Sequence, residues 1–179
     1  MVLKSPNDSA WSRCWGQEGK LLIRLHSGYL SPRQRDIWGL MRDGLTQSEI
    51  ARKLSITRQT VHQLVGAIPE KMAAALNDAA ALNNVDPIQL DVHKGILFGW
   101  SREFKTEAVI AMNREGLRVW YKHDLGKCQI CPDRRACKST LLRNAEDLGV
   151  PLTSQERRLP PLALSNAVFL RALGRENTQ

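Results

Sequence analysis

The sequence predicts an α+β protein: a mainly helical N-terminal helix-turn-helix unit, then a small domain with a β-hairpin, clustered cysteines and C-terminal helices. Three observations support this prediction. Three short helical segments with capping residues follow one another between residues 31 and 68. The apolar pattern then changes to short strand-like runs after residue 95, and three of the four cysteines lie close together near residue 130. The predicted boundaries are residues 1–29, 30–83 and 84–179.

Length and composition limit the class of protein. The chain has 179 residues, 42% hydrophobic and 25% charged, which is ordinary for a globular protein of one domain with appendages or two small ones. No apolar stretch approaches the roughly 20 residues of a membrane span, and the N-terminus lacks a signal-peptide core. We therefore expect a cytoplasmic protein with no membrane partner, in which clustered cysteines bind metal more often than they form disulfides. The net charge of +8 favours a polyanionic partner.

The first helix is predicted from its start and stop signals. The run 31–34 (Ser-Pro-Arg-Gln) places a capping hydroxyl, a proline at the first helical position and a glutamine at the third. Ile37, Leu40 and Met41 then follow at the spacing of an inner face, and Gly44 ends the helix.

The second and third helices are separated by three residues. Thr46-Gln-Ser-Glu49 is a second capping box, and the helix after it is predicted to bury Ile50, Ala51 and Leu54. Residues 55–57 form the turn, and Thr57 caps a third helix. Its apolar residues recur at helical spacing: Val61, Leu64, Val65 and Ile68. Two capped helices joined by so short a turn predict a helix-turn-helix.

A fourth helix and the later elements follow. Pro69 should break or kink the third helix. The alanine-rich run 70–82 favours a helix that pairs either with a second copy or with its own subunit. We predict a strand over 96–100, a hairpin of 107–113 and 117–123 around Gly116, and helices over 138–148, ended by Gly149, and 162–173.

The residues from Leu30 to Val61 resemble the helix-turn-helix of LuxR-type regulators and of the archaeal Tfx-like proteins. The resemblance rests on both capping boxes, on Gly-Leu-Thr-Gln-x-Glu-Ile-Ala at 44–51 and on Thr57-Arg58 at the start of the third helix. The resemblance implies DNA binding. Cysteines are not a general feature of either family, so the resemblance implies nothing about them.

In such a unit the third helix enters the major groove, and its outward positions contact base edges. Here those positions are Arg58, Gln59, His62 and Gln63, while Arg33, Arg52 and Lys53 are placed for phosphates. The expected partner is double-stranded DNA, bound by a homodimer, because paired half-sites usually imply paired proteins. The alternative is that these residues are only the solvated face of a small bundle. Charge agrees mildly, with seven Lys/Arg against four Asp/Glu in residues 31–76.

The cysteines form a second group of candidate functional residues, besides those predicted to contact DNA. Cys128, Cys131 and Cys137 make a C-x2-C-x5-C run, and Cys14 lies far upstream. Four thiolates are the number that closes a zinc site or holds a 4Fe-4S cluster. The pattern resembles the WhiB-like iron–sulfur regulators and the iron-staple nucleases of the RecB-like family, which implies a 4Fe-4S cluster on these four residues. The Gly-Trp-Gly-Gly turn of WhiB-like proteins is absent, and they have no helix-turn-helix. Zinc, free thiols or a redox disulfide remain alternatives.

Basic residues surround the cysteine trio. Residues 118–143 hold seven Lys/Arg and two Asp/Glu. Those nearest the trio could offset the negative charge of a cluster, grip DNA phosphates, or simply face solvent: Lys127, Arg134, Arg135 and Lys138.

Together the helix-turn-helix and the four cysteines predict a DNA-binding transcriptional regulator whose 4Fe-4S cluster senses redox state, oxygen or iron–sulfur status. The alternatives are a zinc-stapled helix-turn-helix regulator and an iron-staple nucleic-acid enzyme. We expect no enzyme, because the candidate carboxylates Glu103, Glu107 and Glu115 match no nuclease motif and no P-loop, GxSxG or HExxH pattern is present. The cluster could act as a switch or only as a structural staple.

Overall fold

A computed structural model describes residues 29–113, 116–122, 128 and 130–175, and these form three layers. The first layer is helical, the second is a four-stranded antiparallel sheet, and the third contains the C-terminal helices. The fold is therefore α+β, as the sequence predicts. The segment 1–28, including Cys14, lies outside the described residues. Within them, no helix has the length and apolar character needed to cross a membrane.

The helices and strands lie close to the predicted positions. The first four helices are α1 (Pro32–Arg42), α2 (Gln47–Leu54), α3 (Arg58–Gly66) and α4 (Ile68–Leu82). The strands are β1 (Val85–Asp91), β2 (Ile96–Ser101), β3 (Thr106–Asn113) and β4 (Gly116–Tyr121). Helix α5 (Arg134–Asp147), a 3-10 turn (Glu156–Arg158) and helix α6 (Pro161–Ala172) follow.

Both predicted capping boxes are present. The Ser31 hydroxyl accepts the Gln34 amide at 3.2 Å, and the Gln34 side-chain oxygen accepts the Ser31 amide at 3.1 Å. Gly44, with a φ of +84°, follows the end of α1. The prediction that Met41 lies on the inner face of α1 is wrong, since Met41 is 38% exposed and Trp38 is buried instead. The reason is tertiary: the indole ring packs against Gly95, in the turn between β1 and β2.

Helix α4 packs within its own subunit. Helix α3 ends at Gly66 and α4 begins at Ile68, so Pro69 lies in the first turn of a new helix, where it is tolerated. The buried face of α4 belongs to the same core as the sheet: Met72, Ala75, Leu76, Ala79 and Ala80. The structure shows the predicted packing of this helix within its own subunit, and its apolar face is covered by the sheet.

The sheet has the strand order β1-β2-β3-β4, with every neighbouring pair antiparallel. Strand β1 is not predicted by the sequence, because it contains Pro87 and several polar residues, which are uncommon in strands. It lies at the edge of the sheet, where proline is tolerated, and a register shift between Pro87 and Gln89 marks a β-bulge. Gly116 has a φ of +129° at the start of β4, as the hairpin prediction requires.

Both faces of the sheet are buried. Leu97, Ile110 and Met112 share a core with the helices of the helix-turn-helix. Phe98 and Val109 point the other way and pack with residues of α5 and α6. This explains why β2 reads as a continuous apolar run rather than an alternating one. Since the helical unit and the sheet share one core, the boundary between residues 83 and 84 stays a prediction.

The C-terminal helices begin earlier than predicted and are tied to the sheet. Helix α5 begins four residues before the predicted Lys138, and Gly149, with a φ of +63°, follows its end. The Lys94 ammonium donates to the carbonyl of Ala172 at 2.7 Å, and the Gln89 amide donates to that of Leu173 at 2.9 Å. These bonds satisfy carbonyls at the end of α6 that have no partner within the helix.

Candidate nucleic-acid interface

The geometry of α3 follows from its first residues. Ser55 adopts a φ of +53° at the end of α2, which turns the chain within three residues. The Thr57 hydroxyl then accepts the Thr60 amide at 3.1 Å and fixes the start of α3. Val61 is fully buried, and Leu64 and Val65 are half-buried. The four predicted base-contacting side chains are all exposed: Arg58, Gln59, His62 and Gln63.

The first turn of helix α2, which packs beside α3, is stabilised by reciprocal hydrogen bonds between Thr46 and Glu49. The Thr46 amide donates to the Glu49 carboxylate at 2.8 Å, and the Thr46 hydroxyl donates to it at 2.7 Å. The hydroxyl bond is the main reason that the pKa of Glu49 is lowered, so this carboxylate is ionised at neutral pH. Ile50 and Ile37 lie in one core with Val61. Packing therefore fixes the exposed face of α3 relative to the other two helices.

The three residues predicted to contact phosphates are also exposed. They are Arg33 at the start of α1, and Arg52 and Lys53 in the last turn of α2. None of them forms a salt bridge with another described residue. Cations at the end of α2 also suit the negative end of its helix dipole. Their charge is thus available to a polyanion.

The structure places three of the four predicted cluster ligands. Cys128 is buried, Cys131 and Cys137 are half-buried, and all three are free of disulfides. Cys131 lies just before α5, where its carbonyl accepts the Arg134 amide at 3.2 Å, and Cys137 lies within the first five residues of that helix. Among the residues that the structure describes, no three histidine, cysteine or acidic side chains are grouped so that they could hold a metal ion.

The basic residues near the trio are accessible where they are described. Arg134 and Arg135 are exposed and Lys138 is half-buried, and none forms a salt bridge within the described part of the chain. Lys127 lies outside it. The helix dipole makes the start of α5 positive as well, and cations there are unfavourable without an anion.

The carboxylates considered for the alternative enzyme function do not form a cluster among the described residues. Glu107 pairs with Lys122 at 2.7 Å, Glu103 is exposed in the turn after β2, and Glu115 lies outside the description. Glu103 and Glu107 match the pattern of surface residues in and around a hairpin.

One surface feature is not predicted by the sequence. A groove of about 380 Å³ runs between α1 and the end of α2 and is lined in part by Arg35, Trp38, Lys53 and Asn113. Arg42 stacks on the Trp38 ring beside it, with 4.4 Å between the guanidinium carbon and the ring centroid. No local signal reveals such a groove, because Asn113 reaches it only through the path of β3.

Comparison with known proteins agrees with this geometry. Residues 28–82 match the family model described as bacterial regulatory proteins, luxR family. No curated protein and no solved structure matches the chain. The match spans α1 to α4 and includes all seven residues predicted to contact DNA. Residues 28–82 are therefore a LuxR-type helix-turn-helix DNA-binding domain of the kind found in transcriptional regulators.

Proposed function

We propose that the LuxR-type domain makes this chain a sequence-specific transcriptional regulator that reads the major groove of DNA with α3. The observation that carries the proposal is the exposed polar face of α3 on a packed and capped frame. The four exposed side chains on this face carry hydrogen-bond donors and acceptors suited to base edges. The buried side chain of Val61 fixes the orientation of the helix.

The side chains on that face match the chemistry of base recognition. Arg58 can bond both guanine acceptors, and Gln59 and Gln63 can each bond an adenine edge. Arg33, Arg52 and Lys53 neutralise phosphates and set the register of the protein on DNA. Affinity should therefore fall steeply as the salt concentration rises, because bound cations displace counterions from the duplex.

A homodimer is part of the proposal, and α4 constrains it. Two half-sites one helical turn apart need two copies of α3 about 34 Å apart. Because the sheet covers the apolar face of α4, the two copies have to meet through another surface.

The test of DNA recognition is selection from a random pool of DNA duplexes by the full-length protein. We expect enrichment of one short motif, present as two half-sites if a dimer binds. Binding to all duplexes with equal affinity, at low salt only, would contradict sequence-specific regulation.

We also propose that Cys14, Cys128, Cys131 and Cys137 hold a 4Fe-4S cluster that makes DNA binding depend on redox state or iron–sulfur supply. The C-x2-C-x5-C spacing, the absence of disulfides among the three described cysteines and the uncompensated positive charge of Arg134 and Arg135 support it. The described trio is not grouped for a metal. A site of this kind usually assembles as the metal binds, so ligand binding has to draw the thiols together.

The three clustered cysteines lie where a structural change could be transmitted to the DNA-binding unit. A bound cluster supplies a redox centre at the start of α5. Helix α5 packs against β3, and the Asn113 amide donates to the Asn144 oxygen at 2.8 Å in the buried layer between them. Asn113 also lines the groove beside α1 and α2. A shift of α5 would therefore reach the helix-turn-helix through one strand.

Metal analysis of protein purified without oxygen tests the cluster. We expect close to four irons and four sulfides per chain, a brown colour that bleaches in air, and loss of both in the Cys131→Ser variant. A change in DNA affinity on bleaching would support a switch. One zinc per chain without sulfide would instead support the zinc-stapled regulator, and protein free of metal would contradict both.

A further inference from the structure

The groove between α1 and the end of α2 has the size of a small-molecule site. Its volume of about 380 Å³ falls within the range of about 300–1,000 Å³ that is typical of ligand pockets. Leu40 and Leu54 supply part of an apolar wall, and polar side chains line the rest. Such a mixture suits a small organic molecule, because apolar surface covers its body and a few polar groups fix its orientation.

The Trp38 indole lines this groove, and its N–H group has no partner. The side chain is only 4% exposed, and Nε1 is buried without a hydrogen-bond acceptor among the described residues. A buried donor left in this way is costly, and such groups are usually satisfied by water or by a ligand. Gly95 packs against the edge of the ring and Arg42 stacks on its face, so the position of the donor is fixed.

The unpaired charged groups of the groove carry an excess of positive charge. Arg35 precedes Trp38 by three residues on α1, and Lys53 lines the groove from the last turn of α2. These two cations and Asp36 form no salt bridge and no side-chain hydrogen bond with any described residue. Asp43 also lines the groove but is already engaged in an interaction. Two cations against one carboxylate leave a positive charge that an anion can neutralise.

An organic carboxylate matches this combination of groups. Its two oxygens have about four lone-pair sites, enough for both cations and the indole N–H. Arginine binds a carboxylate with two parallel hydrogen bonds, which are stronger than bonds between neutral groups. An inorganic anion would leave Leu40 and Leu54 uncovered, whereas an organic ligand also removes their apolar surface from water.

We propose that this groove binds a small organic carboxylate. Arg35 and Lys53 neutralise its charge, the Trp38 N–H donates to one of its oxygens, and the two leucines cover its apolar part. The site lies within the LuxR-type domain and is separate from the cysteines. Binding can be measured on the protein alone, so the proposal does not depend on DNA recognition or on the cluster.

NMR titration of the ¹⁵N-labelled full-length protein with phenylacetate tests the proposal. The chain has five tryptophans, and the indole N–H signal of Trp38 is the one that the Trp38→Phe variant loses. We expect phenylacetate to shift this signal to saturation and to bind about tenfold more tightly than phenylacetamide, which has a similar shape but no charge. The Arg35→Gln variant should bind phenylacetate about tenfold more weakly, because it loses a charge-assisted hydrogen bond.

Two control variants are matched to these changes. Arg157→Gln removes the same charge from the 3-10 turn, outside the groove, and should leave the affinity unchanged. Trp100→Phe identifies the indole signal of an exposed tryptophan on β2, which does not line the groove. Phenylacetate should leave that signal in place.

Three results would overturn the proposal. The first is a Trp38 signal that phenylacetate does not shift at concentrations up to about 10 mM. The second is equal affinity for phenylacetamide or for inorganic phosphate, which would show that the groove does not select a carboxylate. The third is unchanged affinity in Arg35→Gln. Thermal unfolding of each variant shows whether its fold is intact.

Discussion

Replacing Arg58 with alanine is expected to weaken binding to the selected DNA motif by about 10- to 100-fold, equal to about 1–3 kcal/mol. Arg58 is the first residue of α3, is exposed, and forms no salt bridge with another described residue. Its loss removes one bidentate contact with a base. The variant should therefore also lose its preference at one base pair of the motif.

Two control variants separate base reading from loss of charge. Arg157→Ala removes the same charge from the 3-10 turn, in the layer opposite the helix-turn-helix, and should leave the motif and its affinity nearly unchanged. Arg52→Ala should weaken binding to all sequences alike and reduce the salt dependence by about one phosphate contact. Fluorescence titration against motif and scrambled duplexes measures all three. If Arg58→Ala behaves as Arg52→Ala does, Arg58 contacts the phosphate backbone and α3 is oriented differently.

The Gly99→Ala variant is expected to lose about 3 kcal/mol of its free energy of unfolding. Gly99 lies in β2 opposite Pro87 of the edge strand β1. A Cβ atom there would meet the carbonyl oxygen of Asp86 in a clash and would lie 2.6 Å from the Val85 side chain. The first obstacle is backbone, so a rotamer change cannot relieve it. Strand β1 would have to move away from the sheet.

Chemical denaturation measures this loss, and Gly39→Ala is the matched control. Gly39 lies within α1, and a Cβ there meets no atom within 4 Å. Alanine is the better helix former, so we expect a gain of about 0.5–1 kcal/mol. Equal stability of Gly99→Ala and the unmodified protein would show that β1 does not pair with β2 as described. The folded fraction of either variant should keep the DNA preference of the unmodified protein.

The helix-turn-helix could be predicted almost completely because its signals are local. A capping hydroxyl at Ser31, Thr46 or Thr57 acts on an amide only three residues away, so each helix start can be read from the chain. Helical spacing likewise indicated that Ile37, Ile50 and Val61 are buried, and they are. Met41 was misassigned because local spacing cannot tell that Trp38 has Gly95 to pack against.

The sheet could be predicted only in part. Strands β2 to β4 are apolar enough to be recognised, whereas β1 carries Pro87 and a bulge and gains its strand geometry from pairing with β2. The cysteine pattern identifies candidate ligands by spacing alone, and spacing does not place Cys14 next to the trio. That placement stays a prediction for metal analysis.

The sequence by itself determined the class of the fold, the capped helices and the side chains that α3 presents, since these depend on contacts within about four residues. The tertiary structure alone decided that the apolar face of α4 packs on the sheet, that β1 completes the sheet, and that β3 runs between α5 and the groove beside α1. These outcomes depend on residues far apart in the chain, such as Asn113 and Asn144. Their meeting is fixed by the packing of whole layers, which local sequence does not encode.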